Sequence, residues 1–398
     1  MFAKKTTIEE KRNIYFAGIQ PQSVTFGLDT KFSVEVIIKI SDDFSKFTRS
    51  PSCYSQGERV LKVLLTFLIV LVCVFVTPLK AAGKKPLKLL KTLEWHSQYI
   101  LDVKFSPDGK VLAVCGGEKL SDSGRVKMWN ANSWKQKNSL KFTNTLVYSM
   151  DYSPDGRMIA FGCFTGKERL YDISTGKLRV VAGDRGVTVK FASDSKTFAV
   201  SELGQSVRLF DINNGKLLKS KSMNGRFDTV ESQVAFSPKG RWIAISRTDR
   251  LRKGLYQIEI CDANTLKTQT TLRADSGLVT SLAFSADERL LYSGDEDGMV
   301  IVWDMKSQKQ RAIFRAFSKP DYTLFSVVLS PDGKLLATAG INAIKLWDIS
   351  DSNQLVYTVE GKGGFSVAFS PDGKLLATTT SSIDDPPTIK IWSLPDRK

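Results

Sequence analysis

SPDGKLLAT occupies residues 330–338 and recurs without change at 370–378. A Ser-Pro-Asp-Gly run suits a ligand loop, a metal loop or a turn, and its repetition decides between them. Degraded copies run through the chain: FSPDG at 105, YSPDG at 152, FASDS at 191, FSPKG at 236, FSADE at 284, LSPDG at 329 and FSPDG at 369. The copies lie 39 to 48 residues apart, a period that marks an array of small supersecondary units. Each follows a β-rich run, such as ILDVKFS (100–106) or LVTSLAFS (278–285), and precedes a second apolar run, such as KVLAVCG (110–116) or KLLATAG (334–340). Proline presets φ and Asp and Gly tolerate turn geometry, so the motif reads as a hairpin turn between two strands.

A second signature closes a third strand in each unit. It reads VKMWNAN at 126, RLYDIS at 169, VRLFDIN at 207, IEICDAN at 258, VIVWDMK at 300, IKLWDIS at 344 and IKIWSLP at 389. With both signatures in register seven times, residues 87–395 resemble the WD40 repeat family. The related TolB-like repeat also carries Ser-Pro-Asp-Gly, but the Trp-Asp of VIVWDMK and IKLWDIS favours WD40. The resemblance implies an all-β, seven-bladed β-propeller of four-stranded antiparallel blades, with strands a to d from inside to outside. The physics agrees: one small twisted sheet cannot bury both faces alone, whereas radial packing buries them and leaves short edges.

Strands a, b and c occur seven times, but d follows c in only six copies, for example KLLKSKS at 216 or QLVYTVE at 354. KLLKTLEW (88–95) precedes the first a strand and has the d pattern. The expectation is that this N-terminal outer strand completes blade seven beside TIKIWSL (388–394) and closes the ring, with Leu89, Leu90 and Leu93 supplying apolar surface.

The expected organisation is 1–59 without an assigned fold, as a disordered segment or an over-extended gene start; 60–82 a signal peptide or membrane anchor; 83–86 a linker; and 87–396 the propeller. Residues 60–82, VLKVLLTFLIVLVCVFVTPLKAA, carry no charge from Val63 to Leu79, follow Lys62, are broken by Pro78 and end on Ala81 and Ala82. A cationic start, apolar centre and small-residue exit describe a secretory signal. The uncharged stretch is also near the lower limit for a span. In the signal reading translation starts near Val60 or Leu61, and in the other the run anchors an N-terminal tail. Lys80, Lys84 and Lys85 oppose translocation in both. Residues 1–59 hold one strand-like stretch, FSVEVIIKIS (32–41).

Among 398 residues the net charge is +16, with +4 in the first 80 residues and +12 in the rest. So diffuse an excess favours anionic partners in general. With no nucleic-acid motif or Arg/aromatic cluster beside it, no nucleic acid is expected. None of the five cysteines, Cys53, Cys73, Cys115, Cys163 and Cys261, lies in a C-x-x-C, and the last three sit in strand-like runs as small hydrophobes. A single histidine, His96, leaves little for zinc or a triad. The sequence contains no G-x-S-x-G, H-E-x-x-H or phosphate loop, so no enzyme activity, cofactor or metal is expected.

The family resemblance implies a structural network in which a Gly-His histidine meets an Asp of the b–c turn, backed by Ser or Thr and the Trp. Repeat one supplies His96 and Trp129, with Ser123 at the Asp position. Repeat five supplies Ser293, Asp297 and Trp303, with Asp275 in place of histidine. Trp347 and Trp392 hold the Trp slot in repeats six and seven. Asp275 facing Asp297 would raise one pKa or recruit a cation. GDEDGMV (294–300) has a faint likeness to a calcium loop but lacks its third acid and distal Glu.

By alignment, the d–a and b–c loops share the face that WD40 folds use for partners. Its longest basic loop, SRTDRLRKGLY (246–256), offers Arg247, Arg250, Arg252 and Lys253 as candidate partner-binding residues. Asp295, Glu296 and Asp297, with Asp384 and Asp385, make other loops acidic. The function implied is a non-catalytic protein–protein interaction platform, monomeric, with a protein partner of acidic character, exported to periplasm or outside or tethered by 60–79. The alternatives are an enzyme or small-ligand sensor using the central channel, and a cytoplasmic scaffold.

Overall fold

The computed structural model describes residues 14–16, 19–27, 33–40 and most of 87–395. Within that last range 119–122, 182–184, 203–205, 224–232, 250–254, 275–276, 319–322, 351–352, 361–363 and 381–385 are outside the description. The chain divides into Met1–Lys84 and Lys85–Lys398.

In the first unit, β1 (Ile14–Phe16), β2 (Ile19–Gly27) and β3 (Ser33–Ile40) form one sheet, with β3 central. β3 pairs parallel with β1 and antiparallel with β2. β3 falls on the strand-like stretch of the sequence. β2 contains Pro21, which lacks a ladder donor, and the β2–β3 register shifts between Ile19 and Gln22. That interruption hid β2 from a reading by alternation. The apolar run 60–82 lies outside the described residues, and among those no helix is long and apolar enough to cross a membrane.

The second unit is a seven-bladed β-propeller, each blade a four-stranded antiparallel sheet. Strand β4 (Lys88–Glu94) pairs antiparallel with the strand Thr388–Ser393, the c strand of blade seven, so the outer strand of the last blade comes from the N-terminal side of the first. The expected closure stands, with a correction to its packing. Leu93 and the following Trp95 are buried, at 5% and 2% exposure, whereas Leu89 and Leu90 remain exposed. An outer strand covers only its neighbour's edge, so much of its own surface stays wet.

Among the described residues, seven apolar clusters fill the ring, one between each pair of neighbouring blades. The cluster across the closure joins Leu93, Trp95, Ile389 and Ile391 of blade seven to Val103, Leu112 and Trp129 of blade one. The blade-two/blade-three cluster holds Phe191, Phe198 and Phe210. Cys115, Cys163 and Cys261 are free and buried in these strands.

Ser-Pro-Asp-Gly is a turn built from its own side chains. In blade one Ser106 Oγ donates to Asp108 Oδ1 at 2.6 Å, Lys110 N donates to the same oxygen at 3.0 Å, and Val111 N donates to Ser106 Oγ at 2.9 Å. The set repeats around Ser153, Ser285, Ser330 and Ser370. The last residue of the motif has positive φ in every copy, as Gly109 (70°) or Gly373 (69°), and also as Ser195 (54°) and Glu288 (65°). The two non-glycines each accept a hydrogen bond from the preceding blade's turn, Asp155 N to Ser195 Oγ at 3.1 Å and Lys239 N to Glu288 Oε1 at 2.6 Å. Left-handed strain, of order 1–3 kcal/mol, is thus set against a bond between blades. The Asp of the second signature is also local: Asp304 Oδ1, for example, accepts Ser307 N at 2.7 Å in the c–d turn.

Candidate interaction face and central channel

The inner strands surround a channel of about 400 Å³ lined by residues from all seven blades. Counted back from the first residue of each copy (Phe in five blades, Tyr152 in blade two and Leu329 in blade six), the third residue is polar in every blade: Asp102, Ser149, Thr188, Gln233, Ser281, Ser326 and Ser366. Four of these accept the next blade's backbone N–H: Met150 N donates to Asp102 Oδ2 (3.2 Å), Val189 N to Ser149 Oγ (3.0 Å), Val327 N to Ser281 Oγ (3.0 Å) and Val103 N to Ser366 Oγ (3.4 Å). The inner strand's outward N–H groups have no ladder partner on the channel side and are costly to bury unpaired. A short polar side chain one blade back supplies the acceptor. Sequence reading passed over this ring, although a polar residue at a fixed offset in all seven copies was its signal.

One wall of the channel is charged. One residue before the same first residue stand Lys104, Asp151 and Lys190 in blades one to three, against Ala235, Ala283, Val328 and Ala368 in the others. Asp102 Oδ1 accepts Lys104 Nζ at 3.0 Å and Ser366 Oγ at 2.7 Å. Burial pushes the Asp102 carboxyl up, but Lys104, Lys190 and the Ser366 hydroxyl together hold it below its ordinary value. Asp151 Oδ2 accepts Phe191 N at 2.8 Å, yet burial raises its carboxyl. Lys190 is lowered by burial and by the nearby Lys104 charge.

Inner strands enter from the face bearing the d–a and b–c loops, and there the channel mouth is aromatic. Tyr148 stacks on Phe164 of the blade-two b–c loop, centroids 6.1 Å apart, and Phe325 meets Phe365 edge-on at 4.7 Å. All four rings are half-buried. Glu296 also reaches the channel.

Of the basic loop, only Arg247 is described; Arg250, Arg252 and Lys253 lie outside the described residues. Arg247 is not a free docking cation. Its Nη1 donates to Glu259 Oε1 at 2.5 Å and its Nη2 to the Met223 carbonyl at 3.0 Å. Glu259 is 5% exposed and also receives Lys221 at 3.1 Å and Thr268 Oγ1 at 3.0 Å. A buried carboxylate needs such partners, and Arg247 at the strand end is within reach.

Among the described residues of blade one, His96 is not drawn into the network that the repeat pattern suggests for it. His96 is exposed, its side chain 72% accessible, with Nε2 3.4 Å from Glu94. A histidine between an outer strand and an inner one is held outside the sheet, and Trp95 takes the buried place beside it, donating Nε1–H to the Tyr99 carbonyl at 2.9 Å. Trp129 is buried, but the strand-b position that carries the hydroxyl in blades five to seven is Val114 here. The Trp–hydroxyl pair does form in blades five to seven: Trp303 Nε1 donates to Ser293 Oγ (2.9 Å), Trp347 Nε1 to Thr338 Oγ1 (3.0 Å) and Trp392 Nε1 to Thr378 Oγ1 (2.9 Å). Asp275 lies outside the described residues, as do Asp384 and Asp385. In the blade-five b–c turn the organising carboxylate is Asp295, not Asp297. Asp295 is 3% exposed and accepts Gly277 N, Asp297 N and Met299 N at 3.2, 3.0 and 2.9 Å. It is therefore consumed in the turn and unavailable to a partner. Among the described residues no group of three His, Cys, Asp or Glu side chains is placed to hold a metal ion.

The fold and its two signatures define a repeat propeller, and comparison with known proteins places WD40 repeats in three parts of it. The model of the WD domain, G-beta repeat, matches residues 87–130, 266–304 and 353–393. The chain is 24% identical to Protein tipD of Dictyostelium discoideum over 67% of its own length and 42% of that protein's. It is 24% identical to Protein groucho of Drosophila melanogaster over 67% of this chain and 34% of the other. A WD repeat-containing protein SL1-17 of Schistosoma mansoni is 26% identical over 33% of this chain and 42% of its own. The chain spans less than half the length of these relatives.

Proposed function

We propose that this chain is a non-catalytic protein-binding propeller that docks an acidic partner across the face bearing the d–a and b–c loops, after export or tethering by residues 60–82. The observation that supports it is the channel mouth. Tyr148, Phe164, Phe325 and Phe365 place two ring pairs, half-buried, around one opening. Rigid aromatic side chains of this kind anchor interface hot spots, and charged loops at the rim orient the partner. The basic loop supplies Arg250, Arg252 and Lys253 for that role, while Arg247 braces the blade. The charged wall around Lys104, Asp151 and Lys190 supports the second reading, a small-ligand sensor in the channel. Asp102, its buried member, is occupied by bonds between blades, which weighs toward the interaction reading.

The test is partner capture with variants that spare the core. Tyr148→Ala with Phe365→Ala reduces recovery of the bound protein at least about tenfold, the loss typical of removing a hot spot, with an unchanged circular dichroism spectrum. Reversing Arg250, Arg252 and Lys253 to Glu weakens capture and flattens its salt dependence while shifting stability by no more than about 1 kcal/mol. Capture that survives both sets of changes rejects this face.

A further inference from the structure

The channel of about 400 Å³ carries two cations on its lining, Lys104 and Lys190. Lys104 is engaged by Asp102, and that carboxylate also takes bonds from Ser366 and Met150 N. Lys190, on the inner strand Gly186–Phe191 of blade three, forms no hydrogen bond or ion pair among the described residues. It is half-buried and lines the channel. The fold does not require a charge in this slot, which holds Ala235, Ala283, Val328 and Ala368 in blades four to seven. An ammonium drawn partly out of bulk water is costly without a partner. An anion in the channel would supply one.

A second donor stands beside it. Residues two apart on a strand share a side, so Thr188 and Lys190 both face blade four, where Thr188 Oγ1 donates to Gln233 Oε1 at 3.5 Å. Gln233 immediately precedes the inner strand Val234–Phe236 and is also half-buried on the channel lining. Its side-chain NH2 has no acceptor among the described residues. The nearby carboxylates are engaged elsewhere: Asp151 accepts Phe191 N at 2.8 Å and makes no ion pair with Lys190, and Glu296 accepts Leu278 N at 3.3 Å. Burial and the Lys104 charge both lower the Lys190 ammonium, and a bound anion opposes both. Around the same lumen Ser149 and Ser281 accept backbone N–H groups and keep their own hydroxyl protons to give. The channel therefore presents donors, one of them charged.

We propose that the channel binds a small hydroxylated carboxylate, a sugar acid in chemical class, its carboxylate held by the Lys190 ammonium and the Gln233 amide and its hydroxyls by the serine hydroxyls of the inner strands. Hydrogen bonds from a charged donor to a carboxylate are about twice as strong as neutral ones, and a wall of low dielectric strengthens them further. The volume is within the range of small-molecule sites. Such binding deepens the small-ligand reading of the channel, on which it rests, and does not require protein docking at the mouth.

The test is titration calorimetry of the full chain at constant ionic strength, with glucuronate as probe and its uncharged methyl ester as control, alongside NMR of protein with isotope-labelled glutamine side chains. Glucuronate binds at least about tenfold more tightly than the ester, the discrimination of a hydrogen bond to a charged group, and shifts the Gln233 side-chain signal. Lys190→Met keeps the fold, since an apolar residue holds this slot in blades four to seven, and brings the two probes within about twofold once that bond is gone. Gln233→Glu sets a like charge at the carboxylate and weakens glucuronate while sparing the ester. Equal binding of the two probes with a moving Gln233 signal overturns the anion assignment and leaves the channel a small-ligand site. Binding of neither overturns the proposal and removes Lys190 as support for that reading. A preference that survives in Lys190→Met, glucuronate binding indifferent to Gln233→Glu, or a Gln233 signal that does not move puts the carboxylate elsewhere and overturns the proposal as well.

Discussion

Glu168 stands immediately before strand c of blade two, at the repeat position that elsewhere holds Val126, Val207, Ile258, Val300, Ile344 or Ile389. It is fully buried, and while Oε1 accepts Gly186 N at 3.0 Å, Oε2 has no partner among the described residues. Burial raises its carboxyl to about 7, with Glu202 adding to the rise and the Gly186 amide and Arg208 opposing it. Arg208 pairs with Glu202 at 2.9 Å, so it is shared between the two carboxyls. An unfolded glutamate ionises near 4.5, whereas the folded one keeps its proton to about 7. Folding therefore binds the proton. This contribution is complete below about pH 4.5 and is lost as the pH rises to about 7. Glu168→Val should remove that loss and raise stability at pH 8 by about 1–3 kcal/mol, the cost of a buried unsatisfied polar group. Thermal melts of parent and variant from pH 4 to 8 check it; a constant difference in Tm across that range rejects the assignment.

At the scale of single elements, the turns and the strand-b hydroxyls behave as matched sets. Where strand c ends in Trp and strand b offers Ser293, Thr338 or Thr378, the indole is satisfied across the pair. In blades two to four the slot holds Tyr171, Phe210 and Cys261, and the strand-b positions equivalent to the hydroxyls are Phe161, Val200 and Ile245. The closing strand carries the largest single consequence. Deleting residues 82–95 removes β4, exposes the c-strand edge of blade seven and empties the places of Leu93 and Trp95 in the closure cluster. Loss of a buried Trp alone costs about 3–5 kcal/mol, a large part of a typical domain stability of about 5–15 kcal/mol, and a bare strand edge invites association. The truncated chain should melt lower and sediment as concentration-dependent oligomers. A truncation that is as stable and monodisperse as the parent would reject the role given to β4.

At the scale of the whole ring, closure has a polar lock beside its apolar one. Asp102 of blade one takes hydrogen bonds from Ser366 of blade seven and Met150 of blade two, so a single carboxylate ties three consecutive blades at the channel. Lys104, raised by Asp102 although burial opposes it, holds the charge in place. Export bears on the whole molecule as well. If 60–82 acts as a cleaved signal, the native protein begins near Ala82, just before β4, and the propeller keeps every strand. N-terminal sequencing of protein from its native source should give that residue. Recovery from membranes of a chain still carrying residues 1–59 establishes the anchor instead, and recovery of that chain in the cytosol establishes the scaffold.

Sequence alone determined the number of blades, the order of strands, the turn nature of Ser-Pro-Asp-Gly and the origin of the closing strand. These depend on local chemistry repeated seven times, and repetition averages out the ambiguity of any one copy. Tertiary structure alone decided which polar residues are spent inside the ring. The sequence suggests His96 for a structural network and Arg247 for a docking loop, yet His96 is exposed beside Glu94 and Arg247 is fixed on buried Glu259. Asp295 and Asp297 are two residues apart in an acidic loop, and only the fold shows which carboxylate caps the turn. Tyr152 and Glu168 read as ordinary variation in a repeat until burial removes the water that would have satisfied them. The distinction is physical: strand and turn propensities act between residues close in sequence, whereas desolvation and pairing depend on which blade packs against which.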